Sequence, residues 1–328
     1  MKAWIQAARL RTLPLALSGI GLGAAYAYFL GLFQAEILGW ALLTATLLQV
    51  LSNFANDYGD FKKGTDKGRE DRALSSGSLS ASSMKRALYL MGLLALAAGL
   101  MLLYRSQQLG LIETHHLVML LCLGLVAIAA AVLYTVGPSA YGYKGLGDVF
   151  VFVFFGLVPV LGTILLMGGD AHLPYPPRYI TPSLLPALAM GFLSVAVLNV
   201  NNYRDLDSDK AAGKRTVAVR LGAKGSLQYQ RILLLGAWVS LAFSFHEQLR
   251  EFFGLEALGS GESALVFGLF VPIAMLLAQH FSAVKRCKPG EREALNGELK
   301  KLAITTLLSV VLYTLLALYV REALASPF

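Results

Sequence analysis

Nine apolar runs, each close to the length a helix needs to cross a bilayer, dominate this 328-residue chain. They lie at about 12–34, 37–56, 87–104, 117–136, 149–169, 183–203, 232–248, 263–284 and 302–320. A hydrocarbon core takes roughly 20 apolar residues as helix, and inside it every backbone group must find its partner within the chain. The runs lack the alternation of a membrane barrel, so the fold class expected is all-α: a polytopic membrane protein of nine transmembrane helices. The runs from Leu117, Val149, Ser183 and Ser263 carry no Asp, Glu, Lys or Arg at all. With 56% hydrophobic and 15% charged residues, the chain has too little polar surface for a soluble domain. Two cysteines, Cys122 in an apolar run and Cys287 in a basic stretch, exclude a disulfide scaffold or a thiolate metal cluster.

Basic residues orient the runs. With nine spans, all but four of the 28 Lys and Arg residues fall on one side, the exceptions being Arg105, Arg178, Arg250 and Arg321. The positive-inside rule therefore places the N-terminus in the cytoplasm, and the net charge of +8 calls for no nucleic-acid partner. Lys2 to Arg11 followed by an apolar run and Ala24-Ala25-Tyr26-Ala27 has some of the marks of a signal peptide, but the run is longer than an ordinary h-region. It is expected to stay as the first helix.

Chemistry gathers where two runs end. The second runs into Asn53-Phe54-Ala55-Asn56-Asp57-Tyr58-Gly59-Asp60, with Asp66 beyond; the sixth runs into Asn201-Asn202-Tyr203-Arg204-Asp205-Leu206-Asp207-Ser208-Asp209. Asn201, Asp205 and Asp209 recur every four residues, and Asn56 and Asp60 share that spacing, which aligns oxygen-bearing side chains on one helical face. Like charges so spaced destabilise a bare helix, and carboxylates beside hydrocarbon are costly unless compensated. Two such clusters call for a cation, and hard oxygen donors suit Mg²⁺, which usually takes one or two carboxylates together with substrate phosphates. Lys62 and Lys63 sit in the first cluster, Lys214-Arg215 follows the second, and Lys144 lies in the loop Tyr141 to Asp148 after the fourth run. Carboxylates, a divalent ion and nearby cations make a diphosphate-binding surface. A cation transporter would carry its acids near span centres rather than at span ends, and a membrane scaffold gives no reason for paired Asn-x-x-x-Asp motifs. Clusters four spans apart, each followed by a basic loop, also suggest a four-helix repeat used twice, over about 9–138 and 147–284, with a ninth helix at about 300–322. Of the five histidines, His115 and His116 lie on the far face beside the fourth run and the other three are scattered, so they support no zinc site.

The segments Asn53 to Asp66, Asn201 to Thr216 and the tyrosine-rich stretch Tyr134 to Asp148 closely resemble the UbiA superfamily of intramembrane aromatic prenyltransferases. Together with Arg9 to Pro14, they look most like its naphthoate-prenylating, menaquinone-forming branch. The chain departs from the commonest first motif in having Gly64 at the last acidic position, with Asp66 two residues on. The resemblance implies a central cavity with the acidic motifs at its cytoplasmic mouth, in the inner membrane of a bacterium. It implies transfer of a polyprenyl group from a polyprenyl diphosphate to an aromatic acid, 1,4-dihydroxy-2-naphthoate, with loss of CO₂; 4-hydroxybenzoate or another aromatic compound is the alternative acceptor. Metal ligands expected on this reading are Asn56, Asp60, Asp66, Asn201, Asp205 and Asp209. Asp57, Asp60, Asp205, Asp209 and Tyr134 are expected in catalysis, and Lys144, Arg215, Arg11 and Asn53 in substrate binding.

Overall fold

The computed structural model describes residues 1–65, 72–138, 140–169, 180–252 and 259–325. Among them there is no strand. A short helix α1 (Lys2–Ala8) leads through a left-handed residue, Arg9 (φ 48°), into α2 (Leu13–Phe29). Then follow α3 (Ala35–Lys63), α4 (Ala81–Gln108), α5 (Thr114–Leu133), α6 (Gly147–Phe152), α7 (Val158–Leu166) and α8 (Ile180–Arg204). The second half continues with α9 (Leu206–Ala211), α10 (Val217–Phe252), α11 (Ser260–Leu269), α12 (Val271–Arg286) and α13 (Leu295–Ala325).

Seven helices are long and apolar enough to cross a membrane, and up to nine spans result if α1 with α2, and α11 with α12, each count as one span bent by 50°. The eighth apolar run is thus not one straight rod. Pro272 in the first turn of α12 has no N–H to continue the helix ahead of it, and the chain turns there. The first run ends sooner than its hydrophobicity suggests, at Phe29, because Gly31 takes a positive φ of 83°. The second and seventh extend beyond theirs: α3 reaches Lys63 and so holds its whole acidic motif on helix, while α10 begins at Val217 and turns at Gly222.

Leu93, Ile232, Leu265 and Leu315 are each more than half exposed on the outer surface. An apolar exterior of that kind faces lipid rather than water, and the chain is an integral membrane protein. Without a hydrophobic drive between helices in lipid, close backbone packing has to hold them together. Gly19 and Gly23, one turn apart on α2, meet α7: a side chain at Gly19 would stand 2.8 Å from Pro159, and at Gly23 2.6 Å from the Val160 carbonyl. A core joining Leu22, Tyr26, Val160, Met190, Leu193 and Phe245 ties α2, α7, α8 and α10 together. Ile20, Ile37, Leu102, Leu120 and Leu166 join α2 to α3, α4, α5 and α7. Gly23→Leu should therefore cost about 1–3 kcal/mol by overpacking and lower the thermal unfolding midpoint in detergent. Gly39→Leu, where an added side chain meets nothing within 4 Å, should leave that midpoint unmoved.

Candidate active site

Both acidic motifs open at the same end of the bundle. From α3, the Asp60 carboxylate accepts hydrogen bonds from the Tyr143 hydroxyl at 2.5 Å and from Thr65 Oγ1 at 3.1 Å. From α9, Asp209 lies 3.2 Å from Lys214 Nζ, and the same ammonium stands 3.8 Å from Asp60. One positive charge therefore sits between carboxylates contributed by the two motifs. Gly213, at φ 70°, supplies the turn after α9 that only a residue tolerant of the left-handed region makes without strain, and it sends Lys214 back toward the acids. Burial pushes the Asp209 carboxyl up from its ordinary range, and Lys214 pulls it part of the way back. Lys63 Nζ lies over the Tyr143 ring at 3.8 Å from its centroid and Lys214 Nζ at 4.9 Å, so the tyrosine carries cations on its face while its hydroxyl serves Asp60.

The second motif is not one uninterrupted helix. Helix α8 stops at Arg204, Asp205 has φ −90° and ψ 11°, and α9 restarts at Leu206. Backbone hydrogen bonds Asp205 N to Asn201 O and Asp209 N to Asp205 O nevertheless bridge the break. Arg204 grips Asp205 with two hydrogen bonds, Nε at 2.8 Å and Nη2 at 2.5 Å, and donates from Nη2 to Asn201 Oδ1 at 2.9 Å and from Nη1 to Asn296 at 2.6 Å. In the first motif, Asp57 turns away from Asp60. Its side chain, 2% exposed, is held by Arg9 and by Arg72 at 2.9 Å, which fastens the short helix α1 and the segment after the motif to α3. Asn53 faces the same way, donating to the Ala8 carbonyl at 2.9 Å and to Thr12 Oγ1 at 3.1 Å.

A cavity of about 380 Å³ runs back from the motifs. Asn56 and Asn201 line its mouth; Tyr134, Tyr141, Phe150 and Phe154 follow, and Leu102, Leu120, Leu123 and Leu166 surround its depth. Its wall on α3 extends from Ala41 to Asn56, about 22 Å at the helical rise. Tyr141 stacks on Phe150 with centroids 4.0 Å apart, and Tyr134 meets Tyr141 edge-on at 5.3 Å. Glycines make room for Tyr134: a Cβ at Gly142 would lie 2.8 Å from its carbonyl and one at Gly147 would lie 3.1 Å from its hydroxyl. The Gly-rich loop is thus a packing device around a tyrosine.

Several expected residues stand elsewhere. Lys144 and Arg215 are exposed and touch none of the motif carboxylates among the described residues. Their main chains carry the loops instead: Arg215 N donates to the Tyr143 carbonyl at 2.9 Å, and Arg220 donates to the carbonyls of Lys144 at 2.6 Å and Arg215 at 3.1 Å. The Arg11 side chain and Asp66 lie outside the described residues. Lys214 was placed by the sequence among the cations flanking the second cluster and Tyr143 within the tyrosine-rich stretch, but neither was expected to meet the acids directly, and no partner was assigned to Arg9, Arg72 or Arg204; the useful signal for Lys214 is the turn-forming glycine just before it.

Among the described residues no three His, Cys, Asp or Glu side chains converge as a protein-only metal cage. The oxygen-only donors Asn56, Asp60, Asn201 and Asp209 do fit a hard divalent ion that completes its shell with substrate oxygens, and the position held by the Lys214 ammonium is one where a cation is favourable.

Residues 13–305 match the UbiA prenyltransferase family. The chain is 43% identical over 255 residues to the 1,4-dihydroxy-2-naphthoate octaprenyltransferase of Escherichia coli, covering 75% of this chain and 78% of that one. To the protein of that name in Mycobacterium tuberculosis it is 38% identical, covering 70% and 74%. Its fold is shared with a UbiA homologue from Archaeoglobus fulgidus bound to DMAPP and Mg²⁺, at a TM-score of 0.62 and 16% identity over 97% of this chain and 99% of that one. Paired acidic motifs closing on one cation at the mouth of an apolar cavity, and similarity across most of the chain, lead to one assignment: this protein belongs to the UbiA prenyltransferase family.

Proposed function

We propose that this protein transfers a polyprenyl group from polyprenyl diphosphate to 1,4-dihydroxy-2-naphthoate, whose carboxylate leaves as CO₂, giving demethylmenaquinone. The observation that carries the reading is the meeting of Asp60 and Asp209 around one cation position at the mouth of a long apolar cavity. Relatives 38–43% identical bear the name of that activity. The donor has two unlike ends, and the cavity has the same two: an ionic mouth for a diphosphate and an apolar depth for a tail.

Breaking the allylic C–O bond leaves negative charge on the departing diphosphate and positive charge on the prenyl carbon. Mg²⁺ held by Asn56, Asp60, Asn201 and Asp209 would neutralise the diphosphate as a Lewis acid. Lys214 and Lys63 place ammonium groups beside the same acids and can take up part of that charge. Tyr143 holds Asp60 in place through its hydroxyl. Around the prenyl carbon, the faces of Tyr134, Tyr141, Phe150 and Phe154 favour a cation, and the apolar walls keep out water that would trap it. Asp57 and Asp205, each occupied by arginine, hold the motifs in position. The active site is read as facing the cytoplasm of a bacterial inner membrane, as the distribution of basic residues indicates.

Two outcomes are expected in an assay of the purified protein with both substrates. Asp209→Asn and Asp60→Asn should each lower kcat/KM at least about a hundredfold, and EDTA should abolish turnover until Mg²⁺ is restored; near-normal turnover in either variant would refute the metal assignment. Asp57→Ala, which strands two arginines in a buried site, should behave differently. Its loss should appear first as a lower unfolding midpoint, by about 3–5 kcal/mol of destabilisation, and Asp57→Asn should recover part of it.

A further inference from the structure

Four buried polar side chains from four helices form one chain of hydrogen bonds: Asn199 on α8, Gln230 on α10, His280 on α12 and Glu298 on α13. Each lies within or just before an apolar run, where polar groups are costly and mark a role. None of the four lines the cavity, so the prenyl-transfer chemistry leaves them unexplained.

The chain has a direction. Asn199 Nδ2 donates to the Ser226 carbonyl at 3.0 Å and to Gln230 Oε1 at 2.9 Å. A main-chain carbonyl can only accept, so Ser226 fixes which way the Asn199 amide points, even though Asn199 Oδ1 is left without a hydrogen-bond partner. Gln230 then presents its oxygen to Asn199 and its Nε2 to His280 Nε2, at 3.4 Å. An amide nitrogen only donates, which makes His280 Nε2 the lone-pair nitrogen. The ring proton belongs on Nδ1, which donates to Glu298 Oε2 at 3.2 Å. Lys301, largely exposed, donates to the other Glu298 oxygen at 2.6 Å. A second ring proton would turn an N–H toward the Gln230 amide nitrogen and set two buried donors face to face. The charged groups acting on the ring are Glu298 and Lys301, both from α13, while α10 faces it with the uncharged Gln230.

Both ends of the chain return to the second acidic motif. Asn199 stands two residues before Asn201 on α8, and Glu298 two residues beyond Asn296 on α13. Asn296 accepts from Arg204 Nη1 at 2.6 Å, and Arg204 grips Asp205 and donates to Asn201 Oδ1. The circuit from α8 through α10, α12 and α13 therefore closes on Arg204. In the connection between α12 and α13, Arg292 pairs with Asp207 at 2.8 Å and lies over the Tyr203 ring. A small core of Val200, Tyr203, Leu206, Val284 and Leu295 joins the same helices.

We infer that His280 is a positioning residue for the second acidic motif: a neutral imidazole, its proton on Nδ1, that ties α12 to α10 and α13 and so fixes where Asn296 meets Arg204 and where Asn201 and Asp209 present their oxygens. That these oxygens serve a metal and a diphosphate rests on the prenyl-transfer reading; the proton on Nδ1 and the coupling of the helices do not.

Nitrogen-15 spectra of protein labelled in histidine test the proton placement, with the His280 signals identified by their loss in His280→Gln. Wild type should show Nδ1 protonated and Nε2 unprotonated; a proton on Nε2 overturns the assignment. Positioning is tested in the prenyl-transfer assay with Glu298→Ala, which leaves the Nδ1 proton without a partner, and Glu298→Gln, which keeps a carbonyl oxygen there. Both leave His280 in place, so the test stands even where His280→Gln does not fold. In Glu298→Ala, kcat should fall about tenfold through misalignment of the motif, and the Mg²⁺ concentration for half-maximal turnover should rise several-fold. Glu298→Gln should recover most of both. A smaller folded fraction would lower kcat and leave the Mg²⁺ requirement where it was, so an unchanged requirement in Glu298→Ala overturns the proposal, as does a Glu298→Gln variant no better than Glu298→Ala. If wild type transfers no prenyl group, the functional reading fails, and amide hydrogen exchange over residues 199–209 decides the positioning by itself. Faster exchange in Glu298→Ala than in wild type and Glu298→Gln supports it, and equal exchange overturns it.

Discussion

The placement of one ammonium group between two carboxylates governs this end of the molecule. Asp60 and Asp209 come from helices far apart in sequence, and both are largely buried where hydrocarbon gives way to water. Without a cation they would repel each other in a medium that screens poorly. Lys214 supplies that cation in the structure. The outlying acids are satisfied in another manner, Asp57 by Arg9 and Arg72 and Asp205 by Arg204, through guanidinium forks that are always charged and geometrically rigid. A lysine is more easily displaced than a bidentate arginine, since it offers a point charge on a flexible stem. Asp60 and Asp209 thus meet the replaceable charge, and Asp57 and Asp205 meet fixed ones.

Much of this was legible in the sequence, and the reasons are particular. The apolar runs marked the helices because the bilayer imposes a length on them, and the Asn-x-x-x-Asp repeats marked the site because carboxylates beside hydrocarbon need a cause. What composition and spacing could not give was direction. Asp57 and Asp60 are three residues apart on one helix, yet Asp57 points toward α1 and Asp60 toward Tyr143. Lys214 and Arg215 are adjacent, and only the first reaches the acids. Which of two neighbouring cations turns inward depends on a backbone turn at Gly213 and on the stapling of Arg215 to Tyr143, both tertiary facts. The same holds for Lys144 and Arg215 as expected diphosphate ligands: their loop is positioned through main-chain carbonyls, where side-chain chemistry leaves no trace in a sequence.

The close approach of α8 to the aromatic wall of the cavity depends on an irregularity in one helix. Between α6 and α7, residues Val153–Leu157 form a π turn, followed closely by Pro159. Proline has no N–H to offer the carbonyl four residues back, and in a regular helix that carbonyl would belong to Phe155. A wider turn accommodates the missing bond and shifts the side-chain register. Phe154 and Phe155 then both line the cavity. Gly156, in the same turn, lets α8 approach so closely that a Cβ there would stand 2.4 Å from the Gly191 Cα. That approach brings α8, with Ser194, Leu198 and Asn201 on one face, against the aromatic wall. A larger residue at 156 would force α8 away from this wall, because its Cβ would stand against the Gly191 backbone.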